Sequence, residues 1–397
     1  MNPNEDNNAP AILVVDDNPN NLQVLGGFLK QEGLKVEFAM DGVSALEWLE
    51  NKPFDLILLD IMMPGMDGYE VCSLIKKNPS WSEIPVIFIT AKTDSESIVK
   101  GFNSGGVDYI TKPFIQNELM ARVKSQVDIK KSKEKILLYL REIENRNRNI
   151  RESIEYARTI QTAFLAASTS ELTGLPESFI LSQPKDIVSG DFYWHYNLND
   201  TVILAVMDCT GHGVPGAFMS ILGASILNEI IINTHIVQPD EILIHLREKI
   251  IQSLGQNKGT MKVKDGIDGC VIRFDPEAAT LEFSGTFNPL ILIHNHEISD
   301  IAGDRIPIGY FETMKNFSLK TIKIEKGDII YMYSDGFIDQ FGGPENKKIM
   351  SKRFKELLLE HHNLPMSVQK EKLIDFLKQW IGVREQTDDI LVVGIRF

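Results

Sequence analysis

Cysteine is scarce: Cys72, Cys209 and Cys270 are the three in a chain of 397 residues. They form no CxxC spacing and one must stay unpaired, which argues against a disulfide framework and points to a reducing, cytoplasmic compartment. Basic residues are outnumbered, 41 Lys and Arg against 55 Asp and Glu, for a formal charge of -14. Duplex binding relies on clustered basic groups that release counterions from phosphates, so no nucleic-acid partner is expected. Long apolar runs are missing too. None approaches the ~20 residues that span a bilayer, and the polar start MNPNEDNNAP lacks a charged-then-apolar signal pattern, so neither membrane insertion nor secretion is expected. No internal repeat or low-complexity tract is evident.

What is present divides into three textures, and the length suits two domains with a connector. Over residues 11–128, apolar runs (AILVV, KVEFA, DLILLD, PVIFIT, DYI) alternate with segments of helical period. That alternation predicts an α/β doubly wound parallel sheet, whose ligands sit at the carboxyl ends of its strands. Asp16, Asp17, Asp60, Thr90 and Lys112 all fall at such ends and converge on one edge. Residues 129–166 contain neither Gly nor Pro and read as one long helix. Ile129, Ile136, Ile143, Ile150, Ala157 and Phe164 recur every seven residues, with Leu140, Ile154 and the polar Asn147 and Gln161 between them. This heptad pattern predicts a coiled-coil linker and a homodimer, with a spacer helix packed on a neighbouring domain as the alternative. Over 172–397, paired strands such as DFYWHYNL with TVILAVMD, and CVIRFD with TLEFSG, predict an α+β domain with helices near 216–232, 239–254 and 352–376.

Three aspartates at strand ends suit a hard cation such as Mg²⁺. One of them can also be a nucleophile toward phosphorus, provided positive charge neutralises the phosphoryl oxygens. Asp60 ends DLILLD just before the turn-rich MMPGMDG and is the expected nucleophile; Lys112 supplies charge and Thr90 a hydroxyl. VVDD, LLDIMMPGMDG, FITA and DYITKPF follow the order and spacing of the receiver domain of two-component response regulators, which this region resembles. The resemblance implies a flavodoxin-like fold and phosphorylation of Asp60 by a cognate histidine kinase. It also implies Mg²⁺ on Asp16, Asp17, Asp60 and the Met62 carbonyl, a Thr90 and Tyr109 switch pair, and a cis Lys112–Pro113 bond.

A second set of acids sits in SGDFYW, MDCTGHGVPGAFMS, DGIDGCVIRF, YMYSDGFIDQFGG and QTDDILVV. Glycines beside them let backbone approach a metal or phosphate closely. Carboxylates without His or Cys ligand spacing point to Mg²⁺ or Mn²⁺ rather than zinc. Two such ions can activate a water for in-line attack on phosphorus. These separated blocks resemble the sporulation-type branch of the metal-dependent PPM serine/threonine phosphatases, a β-sandwich flanked by helices. The resemblance implies two ions bridged by Asp208, with Asp191, Asp335, Asp388 and the Cys209 carbonyl completing them and Asp389 the lesser partner of Asp388. Asp268 falls in a shared block without an assigned ion, and His212 either shapes its loop or acts as an acid. Eukaryotic relatives carry a phosphate-holding Arg before the first acid; here only Lys185 stands in that stretch. The implied substrate is a phosphorylated anti-sigma-factor antagonist. A catalytically silent pseudophosphatase that sequesters a partner is the alternative, and a nucleotide cyclase rests only on the likeness of SGDFYW to GGDEF.

Overall fold

The structure is a computed structural model that describes residues 9–91, 95–166, 172, 174–199, 201–256, 265–312 and 314–397. It divides into two compact units, Met1–Asn147 and Arg148–Phe397. In the first, β1 (Ala11–Val15), β2 (Lys35–Ala39), β3 (Leu56–Asp60), β4 (Val86–Thr90) and β5 (Asp108–Thr111) form an all-parallel sheet in the order β2-β1-β3-β4-β5. The intervening helices are α1 (Pro19–Gln31), α2 (Gly42–Asn51), α3 (Gly68–Lys77) and α4 (Ser95–Asn103). Alternate strand residues feed opposite faces. Leu13, Val15, Ile57 and Leu59 pack with α2 and α3, whereas Ile12, Val14, Leu56 and Leu58 pack with α1 and the helix after β5. Each such side chain contributes roughly 1.5–3 kcal/mol of burial, which is why the strands read as continuous apolar runs. Capping boxes at Asp41/Ser44 and Asp67/Glu70 start α2 and α3.

The helix after β5 does not stop where the sheet's core ends. α5 runs unbroken over Gln116–Ala166, so the last receiver helix and the predicted linker are one element. Leu119, Met120, Val123 and Val127 enter the first unit's core, after which Ile129, Ile136, Leu140, Ile143 and Ile150 lie exposed. Gln161 departs from the predicted seam: it is buried within the second unit's own fold.

In the second unit the strands are β6 (Glu177–Gln183), β7 (Phe192–Leu198), β8 (Thr201–Cys209), β9 (Ile267–Asp275), β10 (Thr280–Gly285), β11 (Leu290–His294), β12 (Glu297–Ile301), β13 (Lys320–Lys323), β14 (Ile329–Tyr333), the short β15 (Phe341–Gly342) and β16 (Lys347–Lys348), and β17 (Ile390–Arg396). Two five-stranded antiparallel sheets result, β13-β10-β9-β8-β7 and β12-β11-β14-β17-β6, and β15 pairs with β16. Leu204, Ile272 and Phe283 from one meet Ile330, Met332 and Val393 from the other in a sandwich core. On the outer faces, α6 (Gly213–Leu227) and α7 (Pro239–Ser253) cover the first sheet, while α8 (Gly336–Asp339), α9 (Met350–His361) and α10 (Met366–Ile381) cover the second. The sequence suggested one helix near 352–376. The chain makes two, because Pro365 has no N–H to donate and disfavours helix before it.

α6 continues into a π-helical turn, Asn228–Asn233. Among the described residues, Gly213–Asn233 is the helix long and apolar enough to cross a membrane by length and composition. The apolar run was masked in the sequence by Asn228 and Glu229. Its Met219, Ala224, Ile226, Leu227, Ile230 and Ile231 are buried in the core under β7, β8 and α7.

Candidate functional site

The parallel sheet delivers Asp16 just past β1, Asp60 at the end of β3 and Thr90 at the end of β4, with Lys112 just past β5. Among the described residues, Asp16, Asp17 and Asp60 are the acids whose carboxylate oxygens all close to within 4.8 Å of one another. Lys112 Nζ reaches both buried acids, at 2.6 Å from Asp60 Oδ2 and 3.0 Å from Asp16 Oδ2. Asp16 also accepts from the Asn18 N–H and the Asn21 amide, and Asp60 accepts from the Met62 N–H at 3.3 Å. Burial raises the Asp60 pKa, with the neighbouring Asp16 charge in the same direction and Lys112 opposing it. Burial works against the Lys112 charge, but its hydrogen bonds to Asp60 and Asp16 outweigh this and raise its pKa. The chain thus carries a built-in countercharge for this acid set.

Around that centre, the Lys112–Pro113 bond is cis. Thr90 and Tyr109 line one small cavity with Phe88, Ser97 and Phe102. Arg122, paired with Asp108 at 2.6 Å, lies 5.6 Å from the Tyr109 ring centroid. Gly68 is required where it stands: a Cβ there would meet the Asp60 carbonyl oxygen at 2.3 Å.

The second acid set gathers from both sheets of the sandwich. Asp191 immediately precedes β7, Asp208 lies in β8 opposite Asp268 of β9, Asp335 follows β14, and Asp388 precedes β17. No basic side chain is paired with Asp191, Asp208 or Asp268 among the described ion pairs. Burial, then the charge of Asp208, holds the Asp191 pKa well above the ordinary range. Burial, then Asp335 and Asp268, pushes Asp208 up to about 8, and burial with Asp335 pushes Asp268 up to about 6. Burial, then Asp339 and Asp388, raises Asp335. Asp191 Oδ2 and Asp268 Oδ1 are buried without a hydrogen-bond partner. Unpartnered buried carboxylate oxygens in an all-oxygen donor set fit hard divalent cations.

The two adjacent acids near the C-terminus divide their tasks. Asp389 is buried and spends its carboxylate on the N–H groups of Lys185 and Gly190, each at 2.7 Å. Asp388 is the exposed member, and its charge acts on Asp191, Asp208 and Asp335. Gly190 packs against the turn after β8: a Cβ there would stand 2.7 Å from the Gly211 carbonyl oxygen and 3.3 Å from that of Cys209. The Cys209 thiol is fully buried, and burial raises its pKa well above the ordinary range. His212 stands at the N-cap position of α6, makes no side-chain bond to the helix, and pairs with Asp186 through Nδ1 at 2.7 Å.

Two residues not read from the sequence as part of this site hold it in place. The Ser334 side chain bonds Asp191 and accepts from the Leu391 N–H at 3.0 Å, tying β14 and β17 to the first acid. Gln161 of α5 donates to the Ser189 carbonyl at 2.6 Å and the Ser220 hydroxyl at 2.8 Å, and accepts from the Ser189 N–H at 3.3 Å. It therefore grips the loop two residues before Asp191. Its helical period was legible, but periodicity does not reveal which partner a seam position meets.

With this geometry established, similarity to known proteins bears on the assignment. The family model described as stage II sporulation protein E (SpoIIE) matches residues 199–397, half of the chain. The chain belongs to the SpoIIE family. Residues 12–124 match the response regulator receiver domain. The SiaA-PP2C domain of Pseudomonas aeruginosa superposes with a TM-score of 0.57 at 29% identity, covering 63% of this chain and 98% of that one. Response regulator PleD of Caulobacter vibrioides is 44% identical over 117 residues, 30% of this chain and 26% of its own. DNA-binding response regulator MtrA of Mycolicibacterium smegmatis is 41% identical over 116 residues, 29% of this chain and 50% of its own. The chain thus spans between about a quarter and a half of these curated relatives. This SpoIIE-family protein joins a receiver to a PPM-type phosphatase domain.

Proposed function

We propose that phosphorylation of Asp60 controls a metal-dependent phosphoserine or phosphothreonine protein phosphatase in the same chain. The observation that carries this reading is the convergence of Asp191, Asp208, Asp335 and Asp388 from two sheets, with raised pKa values for Asp191, Asp208 and Asp335 and a buried unpaired oxygen on Asp191. In the receiver, Asp60 attacks the phosphorus of a phosphohistidine on a cognate kinase, the P–N bond breaks and an acyl phosphate forms. Lys112, already beside Asp60, balances the added negative charge, and Thr90 with Tyr109 forms the switch pair. Asp16, Asp17, Asp60 and the Met62 carbonyl would hold Mg²⁺.

In the output unit, Asp191, Asp208, Asp335, Asp388 and the Cys209 carbonyl would hold two Mn²⁺ or Mg²⁺ ions. Such ions, when bound, supply Lewis acidity and lower the pKa of a water. The chain's own part is to hold these carboxylates in place: Ser334 orients Asp191, while Asp389 and Gln161 fix the loop that bears it. Lys185, whose main chain Asp389 anchors, is the side chain available to meet the substrate phosphate. The proposed substrate is a small phosphorylated protein of the anti-sigma-factor antagonist type. Coupling runs through α5, whose exposed apolar stripe would pair in a homodimer and whose Gln161 touches the acid-bearing loop. Phosphate release from a phosphoserine protein in Mn²⁺ tests the assignment. Asp208→Ala should lower it about a hundredfold or more, whereas full activity in that variant removes the metal assignment.

A further inference from the structure

At the tip of the β11–β12 hairpin, well away from either acid set in sequence, two histidines face each other. His296 Nδ1 and His362 Nε2 are 2.6 Å apart, with ring centroids at 4.9 Å. The two sit on different elements: His296 in the two-residue turn Asn295–His296, His362 at the C-terminal cap of α9.

His362 is oriented as a ligand. Its Nδ1 donates to the Leu359 carbonyl at 2.6 Å, so that nitrogen carries the proton and the Nε2 lone pair accepts from His296 Nδ1–H. Donation of the far ring N–H to a carbonyl is the usual way a metal-binding imidazole is fixed in tautomer and angle. The main chain of His362 is held as well, its carbonyl accepting from Arg396 Nη2 at 2.7 Å and Gln369 Nε2 at 3.1 Å. His294, two residues from His296, differs. Both of its nitrogens are engaged, Nδ1 with the buried Asp328 and Nε2 with the Asn295 amide, so it is not a member of the pair.

The turn is built in an unusual way around this contact. Asn295 and His296 have φ of 50° and 64°. Two-residue hairpin turns with both φ positive favour Asn followed by Gly, so an imidazole occupies the position that ordinarily has no side chain. The pair opens onto a cleft of about 370 Å³ that Asn363, Asp328 and Arg396 also line, leaving room for water to complete a coordination shell.

We propose that His296 and His362 form a binding site for a divalent ion of the zinc class. Imidazole pairs suit Zn²⁺, Cu²⁺ or Ni²⁺ and not the hard ions that the all-carboxylate sets favour. Tetrahedral bonds of ~2.0–2.1 Å separate two imidazole nitrogens by about 3.3 Å, so to admit an ion the rings need part by less than ~1 Å and His296 shifts its proton from Nδ1 to its solvent-facing Nε2. Because His294 pairs with Asp328 just before β14 and Asp335 follows that strand, the site lies at the opposite end of β14 from Asp335, roughly 20 Å away along the strand. The ion would pin the hairpin tip to the corner between α9 and α10.

Copper titration of the full, untagged chain in excess Mg²⁺, followed by electron paramagnetic resonance, tests this. Mg²⁺ is silent in that experiment, and carboxylate-bound copper shows no nitrogen coupling. Wild type should bind one equivalent of Cu²⁺ with coupling to two nitrogens. His296→Gly, which suits the turn's backbone and so spares the fold, should lose that signal, and His362→Gln should weaken binding at least tenfold. In parallel, Zn²⁺ should raise the melting temperature of wild type above that of His296→Gly. A nitrogen signal equal in wild type and His296→Gly, or none in wild type, overturns the site.

Discussion

The two acid sets of this chain solve the same electrostatic problem in opposite ways. At the sheet edge of the receiver, Lys112 stands 2.6 and 3.0 Å from two buried acids, so the protein supplies its own countercharge. In the sandwich unit, acids face acids, and burial with mutual repulsion pushes Asp208 up to about 8. The first arrangement sets a positive group where added negative charge on Asp60 would be balanced. The second gathers acids without a basic partner among the described ion pairs, and their repulsion is relieved by protons or by bound cations.

The sharpest way to break this contrast is to remove one charge from each set and compare signs in metal-free unfolding experiments. Lys112→Met strands Asp60 and Asp16 and should destabilise the receiver by about 3 kcal/mol. Asp208→Asn should instead stabilise the sandwich unit, because it removes a repelled charge. Equal signs at the two sites would end the comparison.

Titration without metal gives the next largest effect. Asp208 and Asp268 hold their protons more tightly in the folded chain than in the unfolded one, so stability is greatest at low pH and is lost as pH rises from about 4 through about 8. Mn²⁺ should flatten that slope, and an ion at a hundred times its Kd contributes about 2.7 kcal/mol. A melting temperature of the sandwich unit that ignores both pH and Mn²⁺ would contradict the account.

Gln161→Ala should cost about 1–2 kcal/mol, since it leaves Ser189 and Ser220 groups unpaired in a buried place. It should also reduce phosphatase turnover while leaving acetyl-phosphate labelling of Asp60 unchanged; loss of labelling would count against a role confined to the output unit. The smallest effect belongs to His294, whose pKa is raised by its hydrogen bond to Asp328. Its contribution is present below about pH 6.5 and fades as pH rises through the folded pKa. His294→Gln should remove that small dependence from thermal melts, and an unchanged profile would rule the pair out as its source.

The receiver was more legible than the output unit because its information is local. An apolar run ending in Asp or Thr, as in DLILLD and PVIFIT, states both the strand and the atom at its edge. In the sandwich, β6 pairs with β17, over two hundred residues away, and no local pattern encodes that register. The acids were still visible through their Gly-rich turns. Asp389 shows the boundary of such reading: its side chain is committed to two N–H groups from a distant loop, which the run TDDI does not reveal. Gln161 fell to the same limit, since a heptad seam and an intramolecular contact share one periodicity.

Control of the phosphatase by Asp60 is the central claim, and one assay meets it directly. Phosphate release from a phosphoserine protein should be measured in Mn²⁺ with and without beryllofluoride, for wild type and Asp60→Asn. The expected result is a severalfold change in the wild-type rate on adding beryllofluoride and none in Asp60→Asn. Identical wild-type rates with and without beryllofluoride would contradict it.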